Sequence, residues 1–297
     1  MEEPARMSTS YRIRPMTPAD VALALDWAAA EGWNPGHADT ACFTAVDPQG
    51  FLIGEVDGEP AATLSVINYD PGFAFLGFYI VRPDLRGRGL GYRLWQAGIA
   101  HAGHRVIGLD GVVAQQDNYR KSGFAFAYNN IRYGGVPTSV PLGARAQGET
   151  VPLGDVPFAQ IERDDASVFP APRPAFLRAW IDAPGHVGRA LMRDGRLAAW
   201  GVIRPCRNGF KIGPLNADNR EDAESVFAAL VTNADGQTGG QTDGEVFLDV
   251  PQPNADAVAL AGAHGLRPVF ETARMYTGPI RELAVARVFG VTTFELG

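Results

Sequence analysis

Lysine is nearly missing from this chain of 297 residues: of its 26 basic residues only Lys121 and Lys211 are lysines, a skew that fits GC-rich coding better than any chemistry. Cysteine is almost as scarce. Cys42 and Cys206 lie far apart, which excludes a disulfide framework and a cysteine metal cluster and fits a reducing compartment. The five histidines show no metal-ligand spacing with a third ligand, so no metal is expected. No apolar run approaches the ~20 residues that span a bilayer. The stretch Met1–Ser10 is acidic and polar and lacks the apolar core of a secretory signal, so a soluble, cytoplasmic protein with no membrane partner is expected. A basic half is also lacking: 33 acids against 26 bases give a net charge of −7, shared between both halves. Capture of a nucleic-acid backbone needs clustered positive charge, so nucleic acid is not an expected partner, although a small local anion site is compatible with this balance.

What the chain does have is core-forming material, 46% hydrophobic against 20% charged residues, in a length that suggests two domains of about 150 residues each. Tyr11–Arg14 reads as a short strand, and Thr17-Pro18-Ala19-Asp20 starts a helix with a hydroxyl cap, proline in the first turn and a carboxylate near the positive end of the dipole. A second short helix fits Ala38–Val46. Phe51–Val56 and Glu59–Asn68 flank an Asp57-Gly58 hairpin turn, and Phe73–Val81 follows as a third antiparallel strand. Then come a glycine-rich loop, a helix marked by Leu94, Trp95, Gly98, Ile99 and Ala102, a strand Val106–Val113, a short helix Asp117–Ser122 and a strand Phe124–Tyr133. Gly134–Gly154, rich in Gly and Pro, reads as a linker.

The remainder repeats this order. Phe210–Leu215, Arg220–Thr232, Glu245–Val250, Ala255–His264 and Arg267–Thr277 read as strand, helix, strand, helix, strand, as do the elements from Phe73 to Tyr133. A diverged duplication explains the shared order. The expected fold is therefore α/β (α+β): two tandem domains, each a mixed, mostly antiparallel twisted sheet flanked by helices, with boundaries at 1–135, a linker at 136–154, and 155–297.

The chemistry concentrates at Arg86-x-x-Gly89-x-Gly91, between a strand and a helix. Glycines there let the backbone approach a ligand closely and aim free N–H groups at it, an arrangement suited to pyrophosphate, with Arg86 and Arg88 adding charge. Hairpin-linked strands before the loop argue against a dinucleotide-binding fold, and no Gly-Lys-Ser/Thr follows to make a P-loop. Together with Tyr119-Arg120-Lys121-Ser122-Gly123-Phe124 about thirty residues on, the loop resembles the GNAT superfamily of acyl-CoA-dependent acyltransferases, and the C-terminal half resembles the GNAT-like auxiliary domain of one bacterial subfamily.

The resemblance implies that backbone N–H groups of Arg86, Gly87, Arg88, Gly89, Leu90 and Gly91 hold the pyrophosphate of acetyl-CoA. It implies that Ile80 and Val81 pair with the pantetheine arm, and that Tyr119 protonates the departing thiolate. Two departures stand out: Val112 occupies the position where many relatives carry asparagine, and Phe73–Val81 lacks the glutamate base of many others. The base is then either a water relayed to backbone carbonyls or one of Glu31, Asp39, Asp110, Asp249 and Glu271, Asp110 foremost, with Trp33 the candidate acceptor contact. In the second half Asp218–Glu224 replaces the glycine loop and Ala261 stands where Tyr119 would, so only the first half should bind acyl-CoA. The expectation is an N-acetyltransferase acting on a small primary amine, with a second half that contributes to the acceptor pocket. The alternative is a non-catalytic acyl-CoA sensor.

Overall fold

The computed structural model describes residues 10–138, 147–237 and 244–297. The first half runs β1 (Tyr11–Pro15), α1 (Pro18–Ala30), α2 (Asp39–Thr44), β2 (Phe51–Val56), β3 (Glu59–Asn68), β4 (Phe73–Val81), α3 (Leu90–Ala102), β5 (Val106–Val112), α4 (Gln116–Lys121) and β6 (Ala125–Gly135). The second runs β7 (Glu149–Pro152), α5 (Phe158–Val168), α6 (Pro174–Ile181), β8 (Val187–Arg193), β9 (Arg196–Pro205), β10 (Phe210–Ala217), α7 (Arg220–Gln237), β11 (Val246–Pro251), α8 (Ala255–Ala263), β12 (Arg267–Tyr276) and β13 (Val288–Gly290).

Local chemistry accounts for the element starts. Thr17 and Asp20 form a reciprocal capping box, the Thr17 hydroxyl accepting from the Asp20 N–H at 3.3 Å and the Asp20 carboxylate from the Thr17 N–H at 2.8 Å. Two elements depart from the sequence reading. Glu149–Pro152, inside the segment read as linker, is a strand paired with β8. Phe158–Val168 is a helix whose only buried residues are Ile161 and Asp165, too narrow an apolar stripe to announce itself.

Among the described residues thirteen strands join in one sheet, ordered β1-β2-β3-β4-β5-β12-β6-β11-β10-β9-β8-β7, with β13 added on β10. The two halves have exchanged strands: β12 pairs antiparallel with both β5 and β6, and β6 pairs with both β12 and β11. The order reads alike from either end about the β12–β6 pair, as a duplication requires. The cores merge too. One apolar cluster joins Phe43, Phe51 and Phe78 of the first half to Phe176, Trp180 and Trp200 of the second, and each such fully buried side chain contributes about 1.5–3 kcal/mol.

A local irregularity opens the sheet. β4 and β5 pair in parallel only from Phe73/Val106 to Leu76/Leu109. Beyond that point β4 carries an extra residue against β3, and Phe78 adopts φ +50°, held by the Thr63 hydroxyl donating to the Phe78 carbonyl at 2.8 Å. The bulge turns the end of β4 away from β5 and leaves a wedge between them. In the second half β10 and β11 pair over Phe210–Ile212 and Val246–Leu248, and β10 shifts register between Ile212 and Leu215. There β13 occupies the corresponding wedge by pairing with β10 at Leu215 and Asn216, and Val291 donates its N–H to the Asp249 carbonyl of β11.

Candidate active site

The open wedge is the mouth of a cavity of about 1270 Å³. Of the residues singled out from the sequence, Trp33, Ile80, Val81, Arg86, Gly87, Gly89, Leu90, Gly91, Asp110 and Tyr119 all line it. Arg88 does not; its guanidinium turns outward to the Asp84 carbonyl at 3.3 Å.

Gly87 and Gly89 have φ near +77° and +76°, and nothing lies within 4 Å of where a Cβ would sit on either. Glycine is required there by the left-handed backbone and not by crowding. Gly89 caps α3 without any side-chain hydrogen bond, so the first-turn N–H groups carry no local acceptor. Gly91 serves a different end: a Cβ would come within 2.7 Å of the Tyr79 hydroxyl and Val81 Cγ2, so glycine lets α3 lie against β4. The Arg86 side chain fixes the loop, its Nε donating to the Val81 carbonyl at 2.9 Å and its Nη2 to Glu31 at 2.6 Å. In the second half the corresponding helix start is closed by its own side chains, the Asn219 Oδ1 accepting from the Asp222 N–H at 3.0 Å, with Glu221 and Asp222 in the first turn of α7.

Tyr119, on α4, stacks on Trp95 with ring centroids 5.9 Å apart and meets Phe124 at 6.4 Å. Its ring lies flat over Gly111 of β5, where a Cβ would fall 2.2 Å from Cε2. Burial pushes the phenol up to about 12, with Tyr79 adding to the effect, so Tyr119 keeps its proton at neutral pH.

Asp110 is corrected by the structure. Its carboxylate is fully buried in a bidentate pair with Arg274 of β12, at 2.8 and 2.6 Å, and accepts a further bond from Asn130 at 2.7 Å. A bidentate pair of this kind ties β5 to β12 and gives Asp110 a structural role. Each of the other four candidate bases also has a partner. Glu31 holds Arg86; Asp39 accepts from Arg204 Nε at 3.1 Å and the Gly36 N–H at 2.7 Å. Asp249 grips Arg132 at 2.6 and 2.8 Å, and Glu271 accepts from Asn129 at 2.6 Å.

Four lining residues come from the second half: Phe270 and Thr272 of β12, and Phe294 and Glu295 of the C-terminal segment that follows β13. That segment is anchored by Arg173 donating to Thr292 Oγ1 and to the Gly297 carbonyl, both at 2.8 Å, and by the Tyr69 hydroxyl donating to the Leu296 carbonyl at 2.8 Å. Sequence reasoning missed all four, because no motif surrounds them and their approach depends on the strand exchange. Among the described residues no group of three or more His, Cys, Asp or Glu is arranged to hold a metal ion, and no helix is long and apolar enough to cross a membrane.

A bulge-splayed parallel strand pair beside an uncapped, glycine-led helix start makes a site for a ligand that carries both a phosphate and an extended amide arm. The chain belongs to the GNAT acetyltransferase family: residues 20–124 match the Acetyltransferase (GNAT) family, and residues 161–290 match an Acetyltransferase (GNAT) domain of a second kind. It is 31% identical over 274 residues to holothin acyltransferase of Pseudoalteromonas sp. (strain SANK 73390), covering 92% of this chain and 90% of that protein. Its fold is similar to that of a Pyrococcus horikoshii protein described as a candidate acetyltransferase, at a TM-score of 0.80 and 20% identity over 100% of this chain and 99% of the other. It also resembles a tandem GNAT protein from the clavulanic acid biosynthesis pathway, at a TM-score of 0.60 and 14% identity over 91% and 99% of the two chains. The protein is thus an acyltransferase with a GNAT domain followed by a GNAT-like one.

Proposed function

We propose that the protein transfers an acetyl group from acetyl-CoA to the primary amine of a small molecule, by direct attack of the amine on the thioester. The observation that carries this reading is the convergence of the glycine loop, the free edge of β4 and Tyr119 on one cavity whose counterpart in the second half is filled by β13. In this reading residues 1–135 bind the donor, and the second half, whose strands begin with β7 at Glu149, closes the acceptor side through Phe270, Thr272 and Phe294.

The backbone N–H groups from Arg86 to Gly91 take the pyrophosphate, favoured by the positive end of the α3 dipole. Ile80 and Val81 lie past the point where β5 stops pairing, so the N–H groups of this edge are available to the amide-bearing arm of the donor in the manner of an added strand, the Val81 carbonyl being held by Arg86. The same N–H groups, aimed at the thioester carbonyl, stabilise the oxyanion as the amine attacks. Tyr119, still protonated, donates to the sulfur as the carbon–sulfur bond breaks. Trp33 contributes to the wall against which the acceptor lies. A relative named for acylating holothin supports an acceptor of small-molecule size.

Acetyl-CoA should raise the melting temperature of the protein, and Gly89→Glu should abolish the shift by filling and charging the nest. In a thiol-release assay with a panel of primary amines, Tyr119→Phe should lower kcat by about 10²-fold or more. An unchanged rate removes Tyr119 from the mechanism.

A further inference from the structure

Glu295 differs from every carboxylate weighed as a base. It is 3% exposed, it lines the donor cavity, and both of its carboxylate oxygens are buried with no hydrogen-bond partner among the described residues. Taking a carboxylate out of water without a partner costs several kcal/mol, and a structure retains such a group where a ligand completes it. Its backbone is seated against β4: the Glu295 carbonyl oxygen lies 2.1 Å from where a Cβ on Gly77 would be, so only glycine at 77 admits the segment beside the bulge. Gly77 also lines the cavity, one residue before Phe78. The backbone of Glu295 is thus seated where β4 leaves β5, beside a strand that carries no glutamate of its own.

We infer that Glu295, contributed by the C-terminal segment of the second half, receives the ammonium group of the acceptor and acts as the general base of the transfer. The inference rests on the amine-acetylating reading above. It also defines the acceptor: a small primary amine that enters as a cation, its body lying among Trp33, Phe270 and Phe294.

The proton balance closes within the site. The ammonium gives one proton to the Glu295 carboxylate, and the neutral nitrogen attacks the thioester carbon. When the carbon–sulfur bond breaks, Tyr119 protonates the sulfur and recovers the second proton from the new amide nitrogen, while Glu295 releases its proton to solvent. The products are the amide, the free thiol and one proton.

The charges around Glu295 suit the task. Lys211 of β10, Arg132 of β6, Arg204 of β9 and Asp39 of α2 all act on it. Burial is the largest influence and raises the carboxyl above its ordinary value, Asp39 adds to the rise, and the three cations oppose it. A carboxyl raised in this way is a stronger base than an exposed one and is better matched to an ammonium proton.

The test is Glu295→Gln, assayed by thiol release from acetyl-CoA with benzylamine, tryptamine and spermidine across the pH range, alongside the melting-temperature shift given by acetyl-CoA. The expected result is a fall in kcat of about 10²–10⁴-fold and loss of the acidic limb of the pH–rate profile, with the acetyl-CoA shift retained. The retained shift reports an intact fold. Glu295→Asp, which keeps a carboxylate on a shorter arm, should keep the acidic limb at a reduced rate. A Glu295→Gln enzyme with the wild-type rate and the same acidic limb overturns the assignment. A wild-type protein that binds acetyl-CoA and acetylates none of the amines overturns the amine-transfer reading instead.

Discussion

Gly77→Ala separates the seating of the C-terminal segment from donor binding. Gly77 lies outside the left-handed region, so alanine fits its backbone and the substitution acts through contact alone. The added methyl would sit 2.1 Å from the Glu295 carbonyl oxygen, 2.9 Å from its carbonyl carbon and 3.1 Å from its Cα, against an ordinary closest approach of 3.4 Å or more. All three are backbone atoms, so no rotamer change relieves the clash, and the segment must withdraw from β4 by roughly 1 Å. Overpacking of this kind costs about 1–3 kcal/mol of stability. A displacement of about 1 Å in a catalytic group can cost about 10²-fold in rate. The glycine loop and Tyr119 stay in place, so the assay is the pair of kcat for amine acetylation and the melting-temperature shift given by acetyl-CoA: the first should fall about 10²-fold and the second persist. Gly262→Ala on α8, where nothing lies within 4 Å of the new methyl, is the matched control and should leave both unchanged. A Gly77→Ala enzyme with the wild-type kcat would refute the claim that this contact sets the reacting geometry.

Two further substitutions probe the buried charges. Asp249→Ala leaves Arg132, 2% exposed, without its bidentate partner, and should cost about 3–5 kcal/mol in denaturant unfolding; a loss under about 1 kcal/mol would contradict the burial of that pair. His186 is held down to about 4, chiefly by burial and then by Arg204, whereas the unfolded residue titrates near 6.5. The unfolded state therefore binds the proton more readily, so the contribution of His186 is complete above about pH 6.5 and is lost as pH falls toward 4. Unfolding midpoints measured across that window should decline, and His186→Phe should flatten the decline; an unaltered slope would place the titration elsewhere.

The donor side of the site was legible in the sequence because each of its parts is local. A strand, a left-handed glycine turn and an uncapped helix start lie within Phe73–Ala102, and Tyr119 stands four residues before Gly123 on the next short helix. The acceptor side was not legible, because it is made by chain crossing between the halves. Asp110 looked available in sequence because its partner, Arg274, arrives on β12 of the other half. Glu295 carried no signal, since its burial and lack of a partner follow from where a tail without regular structure is anchored. The exchange itself leaves no trace in alternation: β6 and β12 present the same pleated pattern whichever strands flank them. Of the arginine pair singled out in the loop, one fixes the turn and the other faces outward, because the backbone and not the guanidinium groups forms the nest.

The exchange of β6 and β12 also sets an order of assembly on the growing chain. Val112 of β5 waits for Thr272 as its neighbour, so the edges of β5 and β6 that face β12 gain their native partner only once residues 267–276 have been made. The first half carries the glycine loop, yet the segments that complete its sheet and line its cavity are made long after it. A chain cut short after β11 would hold every residue of the two sequence motifs yet lack Phe270, Thr272, Phe294 and Glu295, the part of the cavity wall that the second half supplies.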